Sequence, residues 1–160
     1  MERDTAGAAR VRLATEDDLP VIVALLRDDR LGATRERAHD ATDALAPYRD
    51  AFAEISRDPQ HEILVLEVDG EVAGVLQLSF LRHLTHEGGR RAQIEGVRID
   101  SARRGGGLGR VLIGDALRRA RERGCHLVQL TTDRRRPDAL AFYERLGFVD
   151  THHGMKLSLR

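Results

Sequence analysis

Apolar residues along the chain change period several times, and each change marks an element. Val11 and Leu13 alternate with Arg10, Arg12 and Ala14, which predicts a short first strand. Thr15 then offers a side-chain oxygen to cap a helix, with Asp17 and Asp18 in its first turn. Leu19, Ile22, Val23 and Leu26 follow at i, i+3, i+4 and i+7, one apolar stripe. From Asp28 to Ala46 the chain is polar, carries Gly32 and reads as a loop or short mobile helix. Pro47 opens another helix with Tyr48, Phe52 and Ile55 on one side, and Asp58-Pro59 ends it.

The period then switches to two. Ile63 to Val68 reads as a strand, Asp69-Gly70 as a two-residue hairpin turn, and Val72 to Phe80 as the returning strand. Leu81 to Arg91 breaks the pattern, and Ala92 to Ile99 restores it. A helix is expected from about Gly107 to Arg123, where Leu108, Leu112, Ala116 and Ala120 recur every four residues, Val111 joins them, and Gly124 supplies the left-handed stop. Leu127 to Leu130 is a strand. Pro137 opens a last helix with Ala139, Phe142, Tyr143 and Leu146 on one stripe and Gly147 as terminator. Phe148-Val149 and Met155 to Leu159 read as two closing strands. This succession predicts a mixed α/β unit: a flexible tail over residues 1–9 and a single domain over 10–160.

Composition narrows the function. Twenty-six basic residues balance 26 acidic ones, which argues against bulk electrostatic binding of nucleic acid or anionic membrane. Lys156 is the only lysine, so the basic charge is almost all arginine, whose planar forks suit phosphate. The lone Cys125 cannot form an internal disulfide, and no apolar run reaches the length of a membrane span, so a cytoplasmic setting is expected.

Arg103-Arg104-Gly105-Gly106-Gly107-Leu108-Gly109-Arg110 lies between a strand and a strong amphipathic helix. Helix N-termini present unpaired N–H groups and partial positive charge, and glycines let an anion come close, so the segment reads as a phosphate cradle. It fits neither the P-loop, since Gly109 is followed by Arg110-Val111, nor the spacing G-x-G-x-x-G. The alternative is a glycine-rich turn with no ligand. The strand before it bears on that choice: its apolar positions are 92 and 94, then 97 and 99. The parity flips across Glu95-Gly96, as one extra residue, a β-bulge, would make it do. A bulge splays the strand from its next neighbour and opens a slot for an extended, amide-bearing ligand. An amide-bearing arm ending in a pyrophosphate describes coenzyme A.

These residues resemble the GNAT superfamily of acetyl-CoA-dependent N-acyltransferases. Arg104-x-x-Gly107-x-Gly109 matches its (Gln/Arg)-x-x-Gly-x-(Gly/Ala) segment, preceded by Ile94-Glu95-Gly96-Val97 and followed by Ala139-Leu140-Ala141-Phe142-Tyr143-Glu144-Arg145-Leu146-Gly147-Phe148. The resemblance runs from about Val11 to Leu159 and implies a mostly antiparallel twisted sheet splayed at the bulge and flanked by about four helices. It also implies that N–H groups of Arg104, Gly105, Gly106, Gly107, Leu108, Gly109 and Arg110 hold the pyrophosphate, while the backbones of Val97 and Ile99 hold the pantetheine arm. A backbone N–H near Val97 would polarise the thioester carbonyl. Many members carry an asparagine seven residues before the tyrosine, where this chain has Arg136.

By the same resemblance, Tyr143 is the acid that protonates the departing thiolate, and Glu95 is the base that deprotonates the amine, directly or through water. Read without it, Tyr143 is one member of an apolar stripe, and Glu95 is an exposed strand residue or a partner of Arg98 or Arg91. The expected reaction is direct attack of a primary amine on acetyl-CoA in a ternary complex, without metal. The acceptor is a small molecule or peptide, with no nucleic acid or membrane partner, and there is room for a homodimer. Rival readings are a catalytically silent acyl-CoA-binding or sensing domain and an arginine-rich RNA-binding module. His83-x-x-His86-Glu87 lacks a third and fourth metal ligand, and this loop and the Asp28–Ala46 segment are expected to line the acceptor entrance. Acidic residues near the N-terminus (Asp17, Asp18, Asp28, Asp29, Asp40, Asp43) are expected to face a cationic amine.

Overall fold

The computed structural model describes residues 9–28 and 43–159. The expected tail, up to residue 8, and positions 29–42 of the polar segment lie outside the described residues; Ala9 itself already belongs to a strand. The elements are β1 (Ala9–Leu13), a 3-10 turn (Glu16–Asp18), α1 (Leu19–Arg27), α2 (Ala46–Arg57), β2 (His61–Val68), β3 (Glu71–Arg82), a one-turn bend (Thr85–Gly88), β4 (Arg90–Ile99), a 3-10 turn (Ser101–Arg103), α3 (Leu108–Glu122), β5 (Leu127–Leu130) and α4 (Pro137–Arg145). One sheet holds the five strands in the order β1-β2-β3-β4-β5, and the pairs from β1 to β4 are antiparallel. The described residues fall into two compact units, one up to residue 129 and one from residue 130.

Local chemistry explains the joints. Asp69 and Gly70 both take positive φ, +54° and +82°, as a tight two-residue hairpin between Val68 and Glu71 requires. Gly124 and Gly147 each end a helix in the left-handed region. After α3, the N–H of Cys125 donates to Ala120 O and that of Gly124 to Arg121 O, both at 2.9 Å. After α4, Phe148 donates to Tyr143 O at 3.1 Å and Gly147 to Glu144 O at 2.9 Å. Both are the paired closure that satisfies the last carbonyls of a helix.

Residues opposite one another across strands share a face. Leu64 and Leu76, Leu78 and Ile94, and Phe80 and Ala92 are such pairs, and all six are at most 1% exposed. α3 packs on β3 and β4 with Leu112, Ile113, Ala116 and Ala120 buried. Val111, expected in that stripe, is 42% exposed; Ile113 takes the buried place instead. The other sheet face carries Val65 and Val75, which form a second cluster with Ile22 and Leu25 of α1.

A polar knot fixes the start of α1. The Arg12 guanidinium forks onto Asp18 at 2.6 and 2.9 Å and also donates to Glu67 at 2.7 Å. Thr15 N–H donates to the same Asp18 carboxylate at 2.7 Å. The Arg12 hydrogen bonds, with that of Thr15, hold the Asp18 carboxyl down at about 2 against its partial desolvation. Asp18 is therefore a structural anion and does not face an acceptor; Asp43 likewise pairs with Arg49. Asp29 and Asp40 lie outside the described residues.

The two closing strands do not form among the described residues. Val149, Met155, Leu157 and Leu159 are 76%, 93%, 85% and 91% exposed. The alternation over 155–159 is correct for a strand, but alternation becomes a strand only where a neighbouring ladder and an apolar face receive it.

Candidate functional site

The bulge falls where the parity flip placed it. Val75 pairs with Arg98 and Gln77 with Glu95, so Leu76 alone faces the two residues Gly96 and Val97. Gly96 sits at φ +64°, open to glycine without steric cost. β5 is only four residues long, and its anchoring contacts lie towards the Arg90 end of β4: His126 N–H donates to Arg90 O at 2.9 Å, and Gln129 Nε2 to Gln93 Oε1 at 2.7 Å. Glu95 and Gly96 are exposed beyond that contact. The carbonyls of Val97 and Ile99 accept from Arg98 Nη1 at 2.8 Å and Arg104 Nε at 3.1 Å. A carbonyl oxygen has two lone pairs, so each retains one acceptor site.

The glycine cluster begins at the C-terminal end of β4. Asp100 caps the 3-10 turn by accepting from Ala102 N–H at 3.0 Å. Gly105 and Gly107 then take φ +87° and +78°, and Gly107 is the N-cap of α3. A Cβ built on either would meet nothing within 4 Å, so their backbone conformation, and not crowding, demands glycine. Arg110 N–H turns back to Gly107 O at 3.0 Å. The N–H groups of Leu108 and Gly109 have no helix carbonyl behind them, which leaves donors and the positive end of the helix dipole at an exposed, side-chain-poor surface. The residues present thus fit a phosphate group.

The arginines divide unequally. Arg103 pairs with Glu71 and Asp100. Arg104 spends its guanidinium on two carbonyls, Ile99 O at 3.1 Å and Asp28 O at 3.2 Å, tying the end of α1 to the end of β4. Arg110 is exposed, with no ion-pair partner among the described residues. Arg119 and Arg123 clasp Glu62, each at 3.0 Å, and Arg123 lies over the Phe80 ring. Much of the arginine excess therefore holds the fold, and among Arg103, Arg104 and Arg110 only Arg110 remains for an anion.

On the sheet face opposite α3, a cavity of about 210 Å³ reaches Glu95 and Gly96. Leu26 of α1, Tyr48, Phe52 and Ile55 of α2, and Ile63 and Val75 of the sheet supply much of its wall. The α2 stripe was legible in the sequence as one side of a helix, but its destination was not. α2 carries no fully buried residue, because that stripe faces a cavity in place of a packed core. None of residues 81–91 lines this cavity, and residues 29–42 lie outside the described residues. Glu95 accepts from Gln93 Nε2 at 3.0 Å, and Gln93 in turn accepts from Gln129. The carboxylate is thus oriented by an amide relay, which single-sequence reading did not find.

Tyr143 belongs to the unit 130–160, half-buried on α4. Its ring meets Phe142 at 5.2 Å and Phe148 at 5.7 Å, both edge-on. His86 and His126 stack at 5.2 Å. Among the described residues no group of three or more His, Cys, Asp or Glu is placed to hold a metal ion, and no helix is long and apolar enough to cross a membrane. Cys125 lies at the far end of α3 from the cradle, and burial pushes its thiol up against the opposing pull of Arg90 and Arg123.

Bulge, cradle and flanking helices define an acetyltransferase of the GNAT type, and the family comparison agrees: the model of the acetyltransferase (GNAT) family matches residues 22–148. The chain belongs to that family. Among characterised relatives, it is 30% identical over 149 residues to an aminoalkylphosphonate N-acetyltransferase of Salmonella typhimurium, covering 93% of this chain and 90% of that one. It is 36% identical over 90 residues to a glucosamine 6-phosphate N-acetyltransferase of Trypanosoma brucei brucei, covering 56% of this chain and 59% of that one, less than two thirds of its length. A solved structure described as a transcriptional regulator from Bacillus halodurans C-125 superposes with a TM-score of 0.89 at 48% identity, covering 95% of this chain and all of that one.

Proposed function

We propose that this acetyltransferase moves an acetyl group from acetyl-CoA to a primary amine by direct attack, with residues 10–160 acting as one catalytic domain. The observation that carries the reading is continuity: the Gly96 bulge opens β4, and the same strand runs into positive-φ glycines at the N-terminus of α3. The N–H groups of Leu108 and Gly109, with Arg110 beside them, bind the pyrophosphate. Val97 and Ile99 pair with the pantetheine amides through their backbones, and a backbone N–H near Val97 faces the thioester oxygen.

Acetyl-CoA supplies the activated acyl group. Glu95, steadied by Gln93, accepts a proton from the amine directly or through water; the amine nitrogen forms its bond to the acyl carbon as the C–S bond breaks. Tyr143 gives a proton to the departing sulfur, a role supported by the family resemblance of the Phe142-Tyr143-Glu144 segment. The raised Cys125 thiol, at the wrong end of α3, is unsuited to a covalent route. One cysteine and a coenzyme A substrate suit the cytoplasm.

Glu95→Gln and Tyr143→Phe test the assignment. Each should lower turnover by about 10²–10⁴-fold, the usual worth of a positioned acid or base, with the dissociation constant for acetyl-CoA unchanged. Full turnover in both variants would refute the roles. The 48% identity to a protein described as a transcriptional regulator favours a second reading, a non-catalytic acyl-CoA sensor on the same cradle. A sensor would bind acetyl-CoA and release no thiol with any amine.

A further inference from the structure

We infer that the cavity beside the bulge selects a primary amine carried on an uncharged, apolar body about the size of a phenylethyl group. The inference rests on the acetyl-transfer reading and goes beyond it to the acceptor's chemistry. Leu26, Tyr48, Phe52 and Ile55 face the cavity from the helices, and Gln77 and Glu95 supply its hydrogen-bonding groups from the sheet. Gln77 and Glu95 are directly opposite one another across β3 and β4, so these groups converge at the bulge end.

This distribution has one orientation for a ligand. The ammonium or amine meets the Glu95 carboxylate at the bulge, where the thioester is expected, and the remainder of the molecule lies against Tyr48, Phe52 and Ile55. Among the described lining residues none is cationic. The relatives named above take a phosphonate and a sugar phosphate. A phosphoryl dianion here would lie on apolar walls, lacking a cation from those residues, and would face Glu95; burying a charge so is costly. Size sets the other bound. A cavity of 150 Å³ lined by aliphatic and aromatic side chains takes up benzene. At about 210 Å³ this one holds a ring with a short arm.

The test is steady-state thiol release with acetyl-CoA and 2-phenylethylamine, aminomethylphosphonate or glucosamine 6-phosphate, in the wild type and in Phe52→Ala and Ile55→Arg. The expected kcat/KM for phenylethylamine exceeds that for either anionic amine at least tenfold. Phe52→Ala raises the KM for phenylethylamine about tenfold, and Ile55→Arg narrows or reverses the preference. A preference of the wild type for either anionic amine overturns the pocket assignment and leaves acetyl transfer standing. If no amine is acetylated, calorimetric titration with phenylethylamine decides: saturable binding that Phe52→Ala weakens upholds the pocket and removes the enzyme reading, whereas no binding overturns the pocket.

Discussion

Gly107 and Gly124 stand at opposite ends of α3, and substituting each by alanine separates backbone cost from coenzyme binding. Gly107 takes φ +78° and Gly124 φ +68°, and a Cβ at either meets nothing within 4 Å. Both substitutions therefore carry the same kind of penalty, a non-glycine residue in the left-handed region, worth about 1–2 kcal/mol each. α3 has 15 residues, so about 22 Å of helix separates the two positions. Of the two, only Gly107 lies at the end of α3 where the first N–H groups of the helix, those of Leu108 and Gly109, have no carbonyl partner. Loss of one charge-assisted hydrogen bond weakens binding by about 1.5–3 kcal/mol, roughly tenfold to a hundredfold or slightly more. Urea unfolding measures the first quantity and calorimetric titration with acetyl-CoA the second. Equal losses of stability, with weakened binding only in Gly107→Ala, are expected. Dissociation constants that move together in the two variants would refute the cradle.

Three further outcomes follow from particular contacts. Asp18 has its carboxyl near 2 when folded, against an ordinary value near 4, so its pairing stabilises the fold fully above about pH 4 and loses that contribution as pH falls towards 2. Asp18→Asn should cost about 2 kcal/mol at neutral pH by urea titration, from a shift of nearly two units at 1.36 kcal/mol each, with the gap to wild type closing in acid. A gap independent of pH would show that the ion pair is not its source. Gly74→Ala places a Cβ 2.7 Å from Ile99 Cδ1 and 3.1 Å from Arg98 O, and should destabilise by about 1–3 kcal/mol. Adding Ile99→Val removes the Cδ1 clash and should restore part of that loss in thermal unfolding. Arg104→Ala removes the tie between Ile99 O and Asp28 O and should raise amide exchange of Ser101, whose N–H bonds the Asp28 carboxylate, above that of the wild type.

How much of this was legible depended on whether a feature is local. The hairpin at Asp69-Gly70, the stops at Gly124 and Gly147, and the bulge at Gly96 are set by neighbours in sequence and by φ, and all were readable from residue type and parity. The closing strands were misread because Met155, Leu157 and Leu159 supply alternation but no partner. The destinations of the arginine side chains were hidden for the same reason. Nothing near Arg104 in sequence shows that its guanidinium will reach Asp28 O, or that Arg12 will take Asp18 away from an acceptor. Phe52 and Ile55 were visible as an apolar stripe, but whether such a stripe meets a core or a cavity depends on what the opposing sheet presents. Gln93 and Gln129 gave no signal, since an amide relay exists only once β4 and β5 lie side by side.

The most direct test counts two products in one reaction. Purified protein, acetyl-CoA and 2-phenylethylamine are incubated, free coenzyme thiol is titrated, and the acetylated amine is quantified by mass spectrometry. Acetyl transfer to an amine at the bulge requires one acetylamide for every thiol, with both lost in Glu95→Gln. Thiol without acetylamide, or acetyl-CoA bound with neither product formed from any amine, would contradict the account.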